Sequence, residues 1–320
     1  MQTDYEMMLD VYEKTGQDAS VFQDSDVAHL VIHENEVVGA NLVPGLEVEP
    51  EETEEGVRAR IEVEEGAVID QRVHLCFGVL PEEGRQEIDL DVDIGDEGAV
   101  DILAHCVFPN AHDVTHLMDA RIEVGAGASY RYYEQHVHGP SGGVTVVPEA
   151  DVILRENASF NTEFELIGGR VGRLDIDYET FCGPGSNMRM LARIDGQEDD
   201  RIDIREVGHL QGAGSRGALI SRVALHDEAV ADIYNELTAR GDNARGHVDC
   251  KEIVQDDSNA RATPVVDVKN PSAHVTHEAA IGSVDSKQLQ TLLARGMGEE
   301  AAVETIIQGL LSARTDAATF

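Results

Sequence analysis

Basic residues, aromatic residues and long apolar runs are all scarce in this sequence. Lys and Arg together number 24 against 62 Asp and Glu, which gives a formal net charge of −38 over 320 residues. A surface of this charge repels phosphate backbones and anionic lipids, so we expect binding neither to nucleic acid nor to a membrane. Because salt screens the self-repulsion of such a surface, the acidity also favours a protein from a salt-rich cytoplasm.

The scarcity of aromatic residues limits the kinds of core that the chain can build. Aromatic residues make up 4% of the sequence and Trp is absent, whereas 42% of the residues are hydrophobic. This hydrophobic content is too high for a disordered chain. Val, Ile, Leu and Ala supply the apolar volume, and such small side chains suit narrow stacked layers better than a bulky globular core.

Several motifs are also absent. No run approaches the roughly 18 apolar residues of a membrane span, and residues 1–6 lack the basic start and apolar centre of a signal peptide. We therefore expect a cytoplasmic protein with reduced thiols. No Walker A motif (GxxxxGKS or GxxxxGKT) is present, so the chain itself should not hydrolyse ATP. The four cysteines form no CxxC pair and match no zinc-ribbon or ferredoxin spacing: they are Cys76, Cys106, Cys182 and Cys250.

The middle of the chain repeats itself. Residues 61–76 (IEVEEGAVIDQRVHLC), 92–106 (VDIGDEGAVDILAHC) and 122–136 (IEVGAGASYRYYEQH) each contain a strand, a turn with Gly-Ala or a similar pair, and a second strand. Weaker copies follow. Each unit exposes an apolar face that it cannot bury alone, whereas stacking successive units buries a continuous core. The repeats therefore predict an all-β solenoid, a parallel β-helix.

The alternative to a solenoid is an all-β sandwich or barrel with hairpin turns. Tight hairpins favour Asn-Gly and Asp-Gly. Asn-Gly is absent, and Asp-Gly occurs only at Asp195-Gly196. This shortage favours the β-helix and leaves the sandwich as the second interpretation.

Helical periodicity appears at both ends of the chain. Residues 4–14 show a short helix-like pattern, after which strands begin near residue 28. We therefore divide the chain into an N-terminal helix and strand segment (1–56), a β-helix core (57–283) and a C-terminal helical subdomain (284–320).

The C-terminal subdomain is predicted to be a helix–turn–helix pair. Asp285 and Gln288 resemble a capping box, and Gly296 and Gly298 separate the two helices. One interpretation is a cap that seals the last coil of the solenoid, and the other is a docking surface for a partner; both can hold, one on each face. The apolar residues recur at helical spacing: Leu289, Leu292, Leu293, Val303, Ile306, Ile307 and Leu310.

An ordered series of short motifs over about residues 245–311 resembles the C-terminal core of the SufB/SufD family of iron–sulfur cluster assembly scaffolds. The middle of the chain is similar to the short archaeal SufB-type members, through His105-Cys106-Val107-Phe108-Pro109 and His138-Gly139-Pro140. The C-terminal motifs are Arg245-Gly246-His247-Val248-Asp249-Cys250, Ala262-Thr263-Pro264, Val268-Lys269-Asn270-Pro271, His277-Glu278-Ala279, Gln288-Leu289 and Ala294-Arg295-Gly296-Met297.

The resemblance implies a right-handed parallel β-helix that works as a non-catalytic scaffold. It implies a pair of β-helices, here favoured as a homodimer, with a transient iron–sulfur cluster of the 4Fe–4S type forming between them. It further implies one SufC-type ABC ATPase bound to each C-terminal helical pair, and a sulfur donor such as a cysteine desulfurase.

The resemblance also points to particular site residues. Cys250 occupies the place of the SufB acceptor cysteine, and a thiolate can both accept sulfur and bind iron. His277 and Glu278 occupy the family's His-Glu-Ala motif and are iron-ligand types, although neighbours in a strand point to opposite faces. Without the resemblance, Cys250 is more often a core residue and the His-Glu pair a surface strand end. Cys106, with His105 beside it, is a second candidate for metal binding.

The remaining candidates carry less family precedent. Cys76 with His74 is a third thiol candidate, Cys182 lies in a turn-like segment, and the pair His136 and His138 has a spacing that is common on exposed strands. Two other functions remain open from the residues: a β-helix carbohydrate lyase or hydrolase, and a purely structural solenoid. A scaffold purified without oxygen should be brown, whereas the other two should be colourless.

Overall fold

The computed structural model describes residues 2–53 and 56–312 and is a parallel β-solenoid of about eight turns. One helix precedes the solenoid and two follow it, so the predicted fold class is confirmed. Residues 54, 55 and 313–320, which fall in the predicted N-terminal and C-terminal segments, lie outside the described residues, as does Met1.

Two sheets form the solenoid, and from the fourth strand onward successive strands alternate between them, so that each coil contributes one strand to each sheet. The strands are β1 (His29–His33), β2 (Glu36–Asn41), β3 (Leu46–Glu52), β4 (Val57–Val63), β5 (Val73–Gly78), β6 (Glu83–Ile94), β7 (Ala99–Phe108), β8 (Asp113–Val124), β9 (Ser129–His138), β10 (Val144–Leu154), β11 (Ser159–Gly168), β12 (Gly172–Cys182), β13 (Asn187–Gly196), β14 (Arg201–Leu210), β15 (Arg216–Leu225), β16 (Val230–Ala239), β17 (Arg245–Val254), β18 (Asn259–Val268) and β19 (His274–Gly282). Sheet A has the order β19-β17-β15-β13-β11-β9-β7-β5-β1-β2, and sheet B has the order β18-β16-β14-β12-β10-β8-β6-β4-β3.

Neighbouring strands from β4 and β5 onward are parallel and mostly in continuous register. Ala99 pairs with Ser129, and Ser129 pairs with Ser159. Alternate side chains of each strand point into the solenoid, where Val, Ile, Leu and Ala form one continuous core. Residues at equivalent positions of successive coils therefore stack in columns at the inter-strand spacing of ~4.8 Å.

The turns that join the two sheets explain the repeated Gly-Ala pairs. Gly127 and Asn157 occupy equivalent turns and both adopt positive φ, at 69° and 57°. Gly and Asn tolerate this left-handed conformation better than other residues. The next residue in each case, Ala128 or Ala158, is buried. A small inward-pointing residue thus fits the narrow edge of the solenoid.

The N-terminal helix covers part of the outer face of sheet A. Helix α1 (Asp4–Lys14) has the bounds that the sequence predicts, and Thr3 and Glu6 form its capping box. A 3₁₀ helix (Ala19–Gln23) follows. Met8 and Tyr12 of α1 pack against outward-facing residues of the sheet, including Cys76 and Val107. Strand β1 continues sheet A by pairing parallel with β5, and the antiparallel strands β2 and β3 end the two sheets.

The C-terminal helices pack beside the last coils. Asp285 caps the N-terminus of helix α2 (Ser286–Ala294), because its carboxylate accepts a hydrogen bond from the Gln288 N–H at 2.7 Å. Helix α3 (Glu299–Leu311) follows a turn in which Gly296 has a φ of 91°. These features agree with the predicted helix start and helix break.

Candidate functional site

Cys250 lies on β17 with its side chain inside the solenoid and completely buried. It pairs in register with Ser221 on β15 and with Ala279 on β19. Only the final coil therefore separates this thiol from the open end of the solenoid. Desolvation raises the pKa of Cys250 to about 11, against a hydrogen bond with Ser221 that lowers it. A thiol that is buried in this way is a poor nucleophile.

Polar side chains of sheet B face the thiol across the interior. The Asn235 amide lies 3.6 Å from Cys250 Sγ. When this amide is oriented so that its nitrogen donates to Glu206 Oε2 at 3.2 Å and to the Tyr234 carbonyl at 3.1 Å, its oxygen faces the thiol and can accept from it. Burial raises the pKa of Glu206 to about 8, so at neutral pH this carboxyl is mostly protonated.

A second buried carboxyl lies on the same strand as the thiol. Glu252 accepts a hydrogen bond from the Ser221 hydroxyl at 3.0 Å. Desolvation raises the pKa of Glu252 to about 7, although Ser221 and Arg222 lower it. The interior around Cys250 thus holds a thiol, an amide, a hydroxyl and two carboxyls in an otherwise apolar core.

The final coil places His277 and Glu278 on opposite faces of sheet A. His277 pairs with Val248 and shares the inward face with Cys250, whereas Glu278 pairs with Asp249 on the outward face. Both side chains are exposed. A single chain therefore brings Cys250 and His277 to the same face but leaves Glu278 on the other side of the sheet.

Glu278 belongs to a network of ion pairs on the outer surface of β15, β17 and β19. The Lys251 ammonium lies 3.4 Å from Glu278 and 3.3 Å from Asp249. Asp249 also contacts the buried guanidinium of Arg222. Desolvation pushes the pKa of Asp249 up, but its hydrogen bond to Arg222 and the two positive charges outweigh this effect and lower the pKa overall. Glu278 is thus linked through Lys251 to a charge cluster behind the Cys250 strand.

The last coil is open on one side. In the described sheets β18 and β19 each pair with only one neighbouring strand. Their inward residues include Ala262, Val266 and Val275, which are only partly buried against the core. Val268 and Ile281 are among the most exposed large hydrophobic residues of the described chain, at 44% and 45%. Unpaired strand edges and an uncovered apolar end are features that another chain can complete.

The other predicted thiol candidates divide between the inside and the outside of the solenoid. Cys106 points inward and His105 outward, where Thr15 Oγ1 lies 3.0 Å from His105 Nε2. The structure therefore does not bring this adjacent pair together. Cys76 and His74 both face outward beneath α1, and the Tyr12 hydroxyl lies 3.1 Å from His74 Nδ1.

Two further sequence predictions need correction. Cys182 is the last residue of β12 and points into the core, so it is not in a turn. The strand carrying His136 and His138 is not an exposed one, because both rings are buried inside the solenoid. Sequence reasoning also missed His116 and Glu134, which lie in the same part of the interior. Both positions fall on the inward-facing side of the alternating pattern of β8 and β9, and this pattern is the sequence signal that could have identified them.

The apolar stripe of the C-terminal helices is divided between two surfaces. Ile307 is fully buried against the chain's own solenoid, in a cluster with Leu311, Ala224 and the partly buried Val303. Leu292, Ile306 and Leu310 instead line an open groove of about 980 Å³ between the helices and sheet A. Leu293 is 38% exposed, and Leu289 is half-buried. One face of α3 therefore anchors the helix, and the other faces solvent.

Together these observations define a parallel β-solenoid with a buried thiol site beneath an open terminal coil and a helical pair beside it. Residues 84–310 match the family described as SUF system FeS cluster assembly, SufBD core domain. The chain belongs to this family, as the sequence resemblance indicates, and the family supports a function in iron–sulfur cluster assembly.

Curated relatives extend the similarity to nearly the whole chain. An iron–sulfur cluster assembly SufBD family protein of Pyrococcus horikoshii is 36% identical over 96% of this chain and 94% of its own length. One from Methanocaldococcus jannaschii is 31% identical over 88% of this chain and 89% of its own. The iron–sulfur cluster assembly protein SufB of Bacillus subtilis is 22% identical over 78% of this chain and 54% of its own. Within residues 2–53 and 56–312, no helix is long and apolar enough to cross a membrane.

Proposed function

We propose that this chain is a non-catalytic scaffold on which iron–sulfur clusters are built, with Cys250 as the sulfur acceptor and as an iron ligand. The observation that carries the proposal is the position of Cys250, one coil from the open end of the solenoid and surrounded by buried polar groups. A purely structural solenoid has no need of two buried carboxyls and an amide beside a thiol, since each unpaired polar group there costs stability.

Sulfur acceptance requires the thiol to become a thiolate. The Cys250 thiolate would attack the terminal sulfur of a donor persulfide, such as that of a cysteine desulfurase, to form a Cys250 persulfide and release the donor thiolate. Burial opposes this step in the closed conformation. The proposal therefore includes an open conformation in which the final coil moves away from Cys250.

The proposed assembly is a homodimer formed through the terminal coils. Pairing across β18 or β19 would satisfy the open strand edges and cover Val268 and Ile281. A two-fold axis would bring His277 of each chain close to the partner copy of the same surface. Cys250 with His277 forms the inward part of the proposed site, and Glu278 would join it from a second chain or after a change at the strand end. The proposed cluster is a transient 4Fe–4S cluster.

The proposed partner of the helical pair is a SufC-type ABC ATPase. Its docking surface would consist of Leu289, Leu292, Leu293, Ile306 and Leu310, which remain at least partly accessible beside the groove. Val303 and Ile307 would act indirectly, by holding α3 on the solenoid. ATP-driven movement of α2 and α3 could then reach the Cys250 strand, because Arg222 and Lys251 line the same groove.

The central test compares Cys250→Ser with Cys182→Ser, which removes another buried inward thiol. Each protein is reconstituted with iron and a sulfur source without oxygen, and cluster content is measured by visible absorption and by iron and sulfide analysis. We expect Cys250→Ser to lose the cluster and Cys182→Ser to retain it. Glu278→Ala should weaken the cluster or alter its spectrum but leave persulfide formation intact. A normal cluster on Cys250→Ser would refute the assignment.

The partner and the assembly are tested separately. Leu293→Asp changes an exposed residue of the proposed docking surface and should abolish co-purification with the ATPase without lowering thermal stability. Native mass measurement of the complex should give two copies of this chain and two ATPases. An obligatory second type of β-helix subunit in that complex would contradict the homodimer.

A further inference from the structure

A second group of metal-binding side chains lies deep inside the solenoid, away from Cys250. Cys106 on β7, His116 on β8 and Glu134 on β9 are all buried. Each offers one ligand atom, and these atoms lie within 4.8 Å of one another. Five coils of sheet A separate β7 from β17, which at ~4.8 Å per coil is about 24 Å. The two groups of side chains are therefore well separated in space.

His116 is unusual because neither ring nitrogen has a hydrogen-bond partner among the described residues. Its ring is packed beside Phe108, with ring centroids 5.2 Å apart, and beside Phe77. A neutral imidazole carries one donor and one acceptor, and a protein interior rarely leaves both without a partner. His116 thus lacks a partner for its ring nitrogens that a bound ion could supply.

Glu134 has one carboxylate oxygen engaged and one free. Its Oε1 lies 2.7 Å from His136 Nε2, whereas its Oε2 has no hydrogen-bond partner among the described residues. Because the Arg170 carbonyl only accepts, His138 Nδ1 donates to it at 3.1 Å, and His138 Nε2 then accepts from His136 Nδ1 at 3.1 Å. This chain of hydrogen bonds fixes the orientation of Glu134. Metal-binding carboxylates are commonly held by such a second layer of contacts.

We propose that Cys106, His116 and Glu134 bind one divalent first-row transition-metal ion inside the solenoid. Thiolate, imidazole and carboxylate are the three ligand types that proteins use for zinc, and they also suit iron and cobalt. With metal–ligand bonds of about 2.0–2.3 Å, the ligand atoms of a tetrahedral site lie roughly 3.5 Å apart. The ligand atoms must therefore approach one another by about 1 Å when the ion binds, which small side-chain rotations can provide.

The proposed ion would tie the two sheets together, because β7 and β9 belong to sheet A and β8 to sheet B. It would give both His116 and the free Glu134 oxygen a partner. Since all three ligands are buried, the ion would enter while the chain folds or during a large opening. The metal must accordingly be present during synthesis or refolding, and loading of the folded protein is not a sufficient test.

The test uses the full chain with Cys250→Ser, so that metal or cluster bound at Cys250 does not contribute. The protein is produced, or refolded, with added Co²⁺ and without oxygen, and metal is counted per chain. We expect one Co²⁺ per chain, the visible bands of tetrahedral cobalt, and a near-ultraviolet charge-transfer band from a cobalt–thiolate bond. Zn²⁺ loaded in the same way should raise the thermal unfolding temperature.

Three variants in this background decide the outcome. Cys106→Ser should remove the charge-transfer band, His116→Gln should reduce cobalt to a small fraction of one per chain, and Cys182→Ser should retain both signals. If Cys106→Ser fails to fold, as judged by circular dichroism, His116→Gln and Glu134→Gln carry the same test. Absence of metal from the folded parent, or an unchanged cobalt spectrum in Cys106→Ser and His116→Gln, would overturn the proposal.

Discussion

Replacing Glu206 by Gln should make the protein more stable at neutral and alkaline pH, whereas in acid this stabilising effect should be small. Glu206 is fully buried beside Asn235, and burial raises its pKa from 4.5 to about 8. A carboxyl with a raised folded-state pKa binds its proton more tightly in the folded state. Stability is therefore highest below the unfolded pKa and falls as the pH rises from about 4.5 to about 8. Gln is similar in shape but cannot ionise, so it removes this dependence.

The size of the effect follows from the two pKa values. Each pKa unit corresponds to 1.36 kcal/mol of differential stability. Between about pH 5 and about pH 8 the native protein should lose about 3 kcal/mol of unfolding free energy through Glu206. This is a large part of the roughly 5–15 kcal/mol by which native proteins are stable. The difference in unfolding free energy between Glu206→Gln and the native protein should therefore grow by about 3 kcal/mol in favour of the variant across this pH range. A constant effect of the new amide on stability does not alter this change.

Urea unfolding at several pH values, followed by circular dichroism, measures this difference. Glu47→Gln, at an exposed position of β3, serves as the control and should follow the native pH dependence. Parallel slopes for Glu206→Gln and the native protein would show that Glu206 ionises freely inside the solenoid, and the reasoning about its burial would then be wrong. The same variant should also let Cys250 react with an alkylating agent at slightly lower pH, because an ionised Glu206 raises the pKa of that thiol.

Three other predictions follow from the structure. Asp203 stacks between two further aspartates of sheet B, so Asp203→Asn should stabilise by up to about 1 kcal/mol in low salt and by almost nothing in molar salt, measured by urea unfolding. The hydrogen bond and charge of Asp195 raise the pKa of His226 above 6.5. This pair therefore stabilises the protein fully below pH 6.5, and its contribution is lost as the pH rises through the folded-state pKa. Asp195→Asn should flatten this part of the profile of thermal stability against pH. Gly172 has a φ of 84°, and a Cβ there would lie 1.9 Å from the Gly142 carbonyl oxygen, so Gly172→Ala should cost about 1–3 kcal/mol or more of unfolding free energy.

The sequence allowed prediction of those parts of the fold that depend on local signals. The bounds of α1 match the predicted range 4–14, because its helical period is clean. The Gly-Ala repeats revealed the solenoid because the same turn recurs in each coil. Asp285 marked the start of α2 through its capping hydrogen bond. In each case the structure depends on residues within a few positions of one another.

The interior sites depend on contacts that sequence spacing does not give. Cys106 and His105 are adjacent but point to opposite faces, whereas Cys106 and His116 meet across the two sheets. Which residues of sheet B face which residues of sheet A is set by the geometry of the turns. Glu134 and His136 could still have been placed inside, because they continue the alternation begun by Tyr130 on β9. Their partners could not have been predicted.

The two polar levels of the interior differ in how far the chain satisfies them. Near Cys250 the Ser221 hydroxyl and the Asn235 amide have partners within the solenoid, and one oxygen of Glu252 has none among the described residues. Near Cys106 both nitrogens of His116 lack partners among the described residues. Since an unpaired buried polar group destabilises the fold, the Cys106 level, with three unpaired atoms on His116 and Glu134, has more to gain from an occupant than the Cys250 level. This difference agrees with the two proposals, in which the Cys250 level holds a transient occupant and the Cys106 level a permanent one.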